Sequence, residues 1–94
     1  MSAARAYDLG LVDELCPTGA TLDRALELAA QVALNSPTAV ARSKQALWAS
    51  LGRAREDAEE YAWALARLQM KHPDFQEGAR AFAERRPPEW APPD

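Results

Sequence analysis

Few side chains in this 94-residue sequence are of types that do chemistry, and they are scattered. His72 is the only histidine, and no Ser or Cys stands at a spacing that would set a nucleophile beside it. Its place at a helix break suits a cap or a surface residue. Cys16, the only cysteine, reads as a small buried apolar side chain rather than a reactive thiol. Glu56 and Glu60 share helical spacing, but a carboxylate pair without histidine is most simply a solvent-facing pair, so no metal ligand is assigned. Gly10, Gly19, Gly52 and Gly78 are dispersed and form no phosphate-cradling loop. No catalytic residue is assigned. What remains is Arg80, Arg85 and Arg86 around Phe82, where guanidinium donors beside an aromatic could accept a phosphate-bearing ligand or an acidic protein surface. The simpler reading is that these cations stabilise the carboxyl end of a helix dipole.

The elements that would position these residues are helices. Of the 48% apolar residues, 21 are Ala, with eleven Leu, three Val and no Ile. Ala, Leu, Arg, Glu and Gln favour helix, and the scarcity of β-branched residues argues against a sheet, so the expected class is all-α. A single small domain of this length is only marginally stable alone. A net charge of −3 gives no basic face for nucleic acid or a membrane surface. No apolar run approaches the roughly 20 residues a bilayer requires, and no signal segment follows Met1. With a lone cysteine, the expectation is a soluble, unexported, cytoplasmic protein.

About five helices are expected. Ser2 caps a first short one that ends at Gly10. Residues 11–17 alternate apolar and acidic residues and then reach Pro17 and the Thr18-Gly19 turn, which predicts an extended connector. Thr21 is the expected cap of a second helix, with Leu22, Ala25, Leu26, Ala29, Val32 and Ala33 on its inward face. Ser36-Pro37 restarts the chain as cap and first helical residue, with Val40, Leu47, Trp48 and Leu51 as the apolar stripe. A fourth helix is predicted from about Arg53 to Lys71, with Ala54, Ala58, Tyr61, Ala62, Leu65 and Leu68 inward. Asp74-Phe75-Gln76-Glu77 has the form of a capping box, with Asp74 as cap and Glu77 reaching back. The last helix then runs from Phe75 to about Arg85, carrying Phe75, Gly78, Ala79 and Phe82 on one side. Gly78 inside a helix costs about 1 kcal/mol relative to Ala, which signals close packing or a place where a Cβ would collide. Arg86 to Pro93 cannot continue a helix and should lie extended, with Trp90 as its apolar anchor. The expected organisation is therefore a helical domain over residues 1–86 and an extended docking tail over 87–94.

Three stretches together resemble the enoyl-CoA hydratase/isomerase (crotonase) family. Ala6-Tyr7-Asp8-Leu9-Gly10-Leu11-Val12-Asp13-Glu14-Leu15 is similar to the family's A-x-x-x-G-L-V-D-x-V passage. Residues 22–47, with Ser36-Pro37-Thr38-Ala39-Val40 and Lys44, resemble the helical pair that follows it. His72 to Gly78 and Ala81 to Trp90 resemble the family's closing D-x-x-E-G-x-x-A-F-x-E-K-R-x-P-x-W.

The resemblance implies the family's carboxyl-terminal helical subdomain, the part used at trimer contacts, with an extended Pro-rich tail. It also implies that the oxyanion-binding N–H groups and the proton-moving carboxylates belong to a larger αβ core outside this chain. By the same resemblance Phe82 corresponds to a wall of the acyl pocket. Arg85 takes the place of a lysine that contacts coenzyme A, where an arginine keeps the charge and changes the geometry. Phe75, Gly78 and Trp90 become docking positions. The implied ligand is a coenzyme A thioester, with no resident cofactor, and the implied partner is a second copy or another crotonase-like subunit. The alternative is a stand-alone helical interaction module without acyl-CoA function.

Overall fold

The computed structural model describes residues 1–92. The chain is all-α, with α1 (Ala3–Asp8), α2 (Thr21–Ala33), α3 (Pro37–Ser50), α4 (Arg55–Met70) and α5 (Pro73–Glu84), and no strand among the described residues. It divides into two compact units, the first Met1–Gln31 and the second from Val32 onward. Among the described residues no helix is long and apolar enough to cross a membrane.

In the first unit Ser2 caps α1 by accepting the Arg5 N–H at 3.2 Å. The turn past α1 needs a left-handed residue, which Gly10 supplies at φ 70°. In the connector, Glu14 grips Arg24 of α2 with both oxygens, at 2.7 and 3.2 Å. These hydrogen bonds hold the Glu14 carboxyl below its ordinary range. Two expectations change here. Thr21 is the first helical residue rather than the cap, since the Ala20 carbonyl already accepts the Arg24 N–H, and its hydroxyl instead accepts from Cys16 Sγ–H at 3.4 Å. The face of α2 expected to lie inward is exposed, and no residue of α2 is buried. An amphipathic pattern says that a face is to be covered, but not which polypeptide covers it.

In the second unit α3 and α4 form an antiparallel hairpin joined by residues 51–54. Arg42 of α3 donates to Gln69 of α4 at 2.6 Å near one end, and Gln45 donates to the Tyr61 hydroxyl at 2.7 Å further along. Arg53 in the loop lies 4.6 Å from the centre of the Tyr61 ring, a cation–π contact that draws the loop onto α4. Small residues let the helices approach, and Leu65 is the buried leucine of the seam. α4 begins two residues later than expected because Ala54 occupies the cap position without a side chain able to cap. The α3 stripe is also not a core stripe, since Leu47, Trp48 and Leu51 all face solvent.

α5 starts earlier than its sequence suggested. His72 is the cap, accepting the Asp74 N–H on Nδ1 at 3.2 Å, and Pro73 takes the first helical position, where a missing N–H costs nothing. Asp74 is thus released from capping and turned inward.

Candidate docking surface

The position of α5 is set by a polar corner. Ser36 caps α3 by accepting the Ala39 N–H at 3.2 Å, and its own hydroxyl donates to Asp74 Oδ2. Asp74 Oδ1 accepts the Ala91 N–H at 2.8 Å, so one carboxylate ties the start of α3 to the start of α5 and to the tail. Asp74 is 3% exposed, and a buried carboxylate survives there because hydrogen bonds and two helix amino termini surround it. Burial pushes the Asp74 carboxyl up, but hydrogen bonds from Ser36 and Ala91 and the nearby His72 outweigh it, and the net direction is down. Because His72 Nδ1 accepts the cap bond, its proton belongs on Nε2, which faces Thr38 Oγ1 at 3.4 Å. Nδ1 also lies 3.6 Å from Asp74 Oδ2.

One turn along, Glu77 does not reach back to complete a capping box. It turns to the tail, taking Arg86 with both oxygens at 2.6 and 3.1 Å and the Glu89 N–H at 2.8 Å. Arg86's hydrogen bonds, followed by that of Glu89, hold the Glu77 carboxyl down at about 2. Trp90 donates its indole N–H to the Leu34 carbonyl at 2.8 Å. Its ring covers Gly78, where an added Cβ would meet Cη2 and Cζ3 at 3.5 and 3.6 Å. That is ordinary contact, so Gly78 marks close packing and not a collision. The inner face of α5 is therefore Asp74, Glu77, Gly78 and Ala81, one step round from Phe75, Ala79 and Phe82.

The candidate site residues separate accordingly. Gly78 and Trp90 lie against each other within the chain. Phe75 is about half exposed and lines a groove of about 400 Å³ together with Arg42, Ala46, Leu65, Ala66 and Met70. Phe82, two turns on, is 87% exposed. Arg85 is exposed and ends the helix in the left-handed region at φ 52°, ψ 44°, the only non-glycine residue described there. Its neighbour Arg86 places its N–H on the Ala81 carbonyl at 3.1 Å, a Schellman-type end. The arginine cluster divides, since Arg86 is committed to Glu77 and Glu84, whereas no ion pair involves Arg80 or Arg85 among the described residues.

Sequence reasoning missed Ser36, Asp74, Glu77 and Arg86 as one network. Its signals were present in the Asp74-x-x-Glu77 spacing and in the cap at Ser36, but both also fit isolated helix starts. Among the described residues no group of three or more His, Cys, Asp or Glu side chains could hold a metal.

The family model for enoyl-CoA hydratase/isomerase matches residues 1–93. A putative enoyl-CoA hydratase of Thermus thermophilus is 41% identical over 91 residues, covering 96% of this chain and 36% of the relative. The 2,3-dehydroadipyl-CoA hydratase of Escherichia coli is 34% identical over 90 residues, 96% of this chain and 35% of the relative. Among solved structures, one of a putative enoyl-CoA hydratase/isomerase from Mycobacterium abscessus superposes with a TM-score of 0.92 at 36% identity, covering 97% of this chain and 38% of that one. An enoyl-CoA hydratase/isomerase from Mycobacterium paratuberculosis gives 0.90 at 38% identity, covering 97% and 36%. The chain spans little more than a third of the length of the relatives it matches.

Proposed function

Because the chain belongs to the enoyl-CoA hydratase/isomerase family, of whose members it corresponds to a helical part, we propose that it acts in oligomer assembly and at the edge of an acyl-CoA site. The groups that would polarise the thioester and move protons are then supplied by other polypeptide. The observation that carries this reading is the amount of large apolar side chain left in water. Leu22 and Leu26 on α2, Leu47 and Trp48 on α3 with Leu51 just past its end, and Phe75 and Phe82 on α5 are all more than half exposed.

Covering such a side chain contributes about 1.5–3 kcal/mol. Covering four or five in one interface would offset an association cost of about 4–15 kcal/mol, so faces of this size suffice to drive assembly. The partner is a second copy or another crotonase-like subunit. At the amino end of α5, Phe75 lines the groove with residues of α3 and α4. At its carboxyl end, Phe82 offers an aromatic wall and Arg85 a planar cation with no ion pair among the described residues, a combination suited to an acyl chain and a phosphate-bearing carrier. A cytoplasmic location belongs to the same proposal.

Calorimetric titration of the chain with coenzyme A, alone and with a full-length family enzyme present, tests the ligand half. Binding that weakens on Arg85→Ala or Phe82→Ala supports it. Protein association that is unaffected by Arg85→Ala, with no coenzyme A heat in either setting, would leave a helical interaction module and remove the acyl-CoA role.

A further inference from the structure

We propose that residues 86–91 are an acid-opened latch, held shut on α5 by the charged forms of Asp74 and Glu77 and able to release Trp90 before the helices melt. This inference stands on the geometry of the tail and not on the family reading.

Two of the six latch residues are prolines, Pro87 and Pro88, which have no N–H to give. Past Arg86, whose N–H goes to the Ala81 carbonyl, the backbone groups that bond inward go to side chains. Glu89 N–H donates to Glu77 Oε1 and Ala91 N–H to Asp74 Oδ1, both at 2.8 Å. The two carboxylates stand one turn apart on the inner face of α5, so they meet alternate residues of an extended strand. Arg86 adds the ionic clasp, with Glu77 on one side and Glu84 at 2.6 Å on the other. Among the described residues, the contacts of the latch that do not depend on carboxylate charge are the Arg86 N–H on the Ala81 carbonyl, at the hinge end, and the Trp90 bond to Leu34 with its ring contact to Gly78.

The charged and titratable groups around the clasp are His72, Asp74, Glu77, Arg80 and Glu84 from the α5 region and Arg86 and Glu89 from the latch. Ser36 is the hydroxyl that meets Asp74 from the start of α3. Both carboxyls titrate below their ordinary values, Glu77 at about 2, because each binds donors when charged. Depressed acids stabilise the closed form fully above the unfolded value, about 4.5 for Glu77, and lose that contribution as pH falls towards 2.

The test uses the full chain with Trp48→Phe and Trp63→Phe, so that Trp90 is the only indole. Its emission and the far-ultraviolet helical signal are followed together from pH 7 to pH 2. The expected result is a red shift of Trp90 emission below pH about 4.5 that precedes loss of helix. Glu77→Gln should shift the emission to the red at pH 7, speed amide exchange at Glu89 by about tenfold or more, and leave the helical signal in place. Adding Arg86→Gln to Glu77→Gln should change little further, because the clasp is already broken. Emission that tracks helix loss at every pH, that stays constant to pH 2, or that ignores Glu77→Gln would overturn the latch.

Discussion

The corner where α3, α5 and the tail meet and the outer faces of α2, α3 and α5 invert the usual arrangement of a small protein. Ser36, Thr38 and Asp74 are buried at the corner, whereas the leucines, Trp48 and Phe82 of the outer faces lie in water. Among the described residues the only buried apolar side chains are Leu65 and Ala81, a thin core for a chain of this length. Polar satisfaction thus gives α5 its place, and the apolar surface is left for another protein. In a self-sufficient monomer, changes to large apolar residues would be the most damaging ones. Here the ranking should be reversed.

The largest effect is expected at Asp74. Asp74→Ala removes a buried acceptor of two hydrogen bonds and orphans the Ser36 hydroxyl and the Ala91 N–H, a loss of about 3 kcal/mol. Thermal unfolding should show it, and amide exchange should place the loss in α5 and the tail. Ser36→Ala, which removes the α3 cap and one Asp74 donor, should cost about 1–2 kcal/mol in the same assay.

Arg85→Gly should go the other way, gaining about 1 kcal/mol by relieving a left-handed arginine. If Arg85 serves the proposed ligand, the more stable variant will bind coenzyme A less well. Gly78→Ala should raise stability by up to about 1 kcal/mol, since helix propensity improves and the methyl reaches only ordinary contact with Trp90. Smallest is Trp48→Gln, which should alter the melting of the dissociated chain by less than about 0.5 kcal/mol. An effect from Trp48→Gln as large as that from Asp74→Ala would break the comparison, because it would place Trp48 in an intramolecular core.

The sequence made the helices legible because their stops are chemical. Gly10, Ser36-Pro37 and His72-Pro73 each end or start an element by backbone constraint, and each did so within a residue or two of the expected place. Faces were less legible. On α5 the aromatic pair Phe75 and Phe82 outweighed Asp74 and Glu77 in a hydrophobic reading, yet the carboxylates point inward because tail N–H groups and Arg86 meet them there. Those partners lie 9 to 17 residues away in sequence, beyond the reach of helical periodicity. The apolar faces of α2 and α3 were recognised as faces to be covered, but residue spacing carries no record of which chain covers them. At Phe82 and Arg85 local chemistry allowed a phosphate-bearing ligand but favoured helix-end stabilisation, and it was the family pattern that turned the reading towards an acyl-CoA contact.

Sedimentation velocity over rising micromolar concentration, on the wild-type chain and on Leu47→Gln/Trp48→Gln, bears most directly on the claim that the exposed faces serve assembly. The expected result is a wild-type species heavier than the 10.3 kDa chain and a variant shifted towards that mass with its helical signal unchanged. A wild-type chain that sediments at 10.3 kDa throughout, alone and with a full-length family enzyme, would contradict the account.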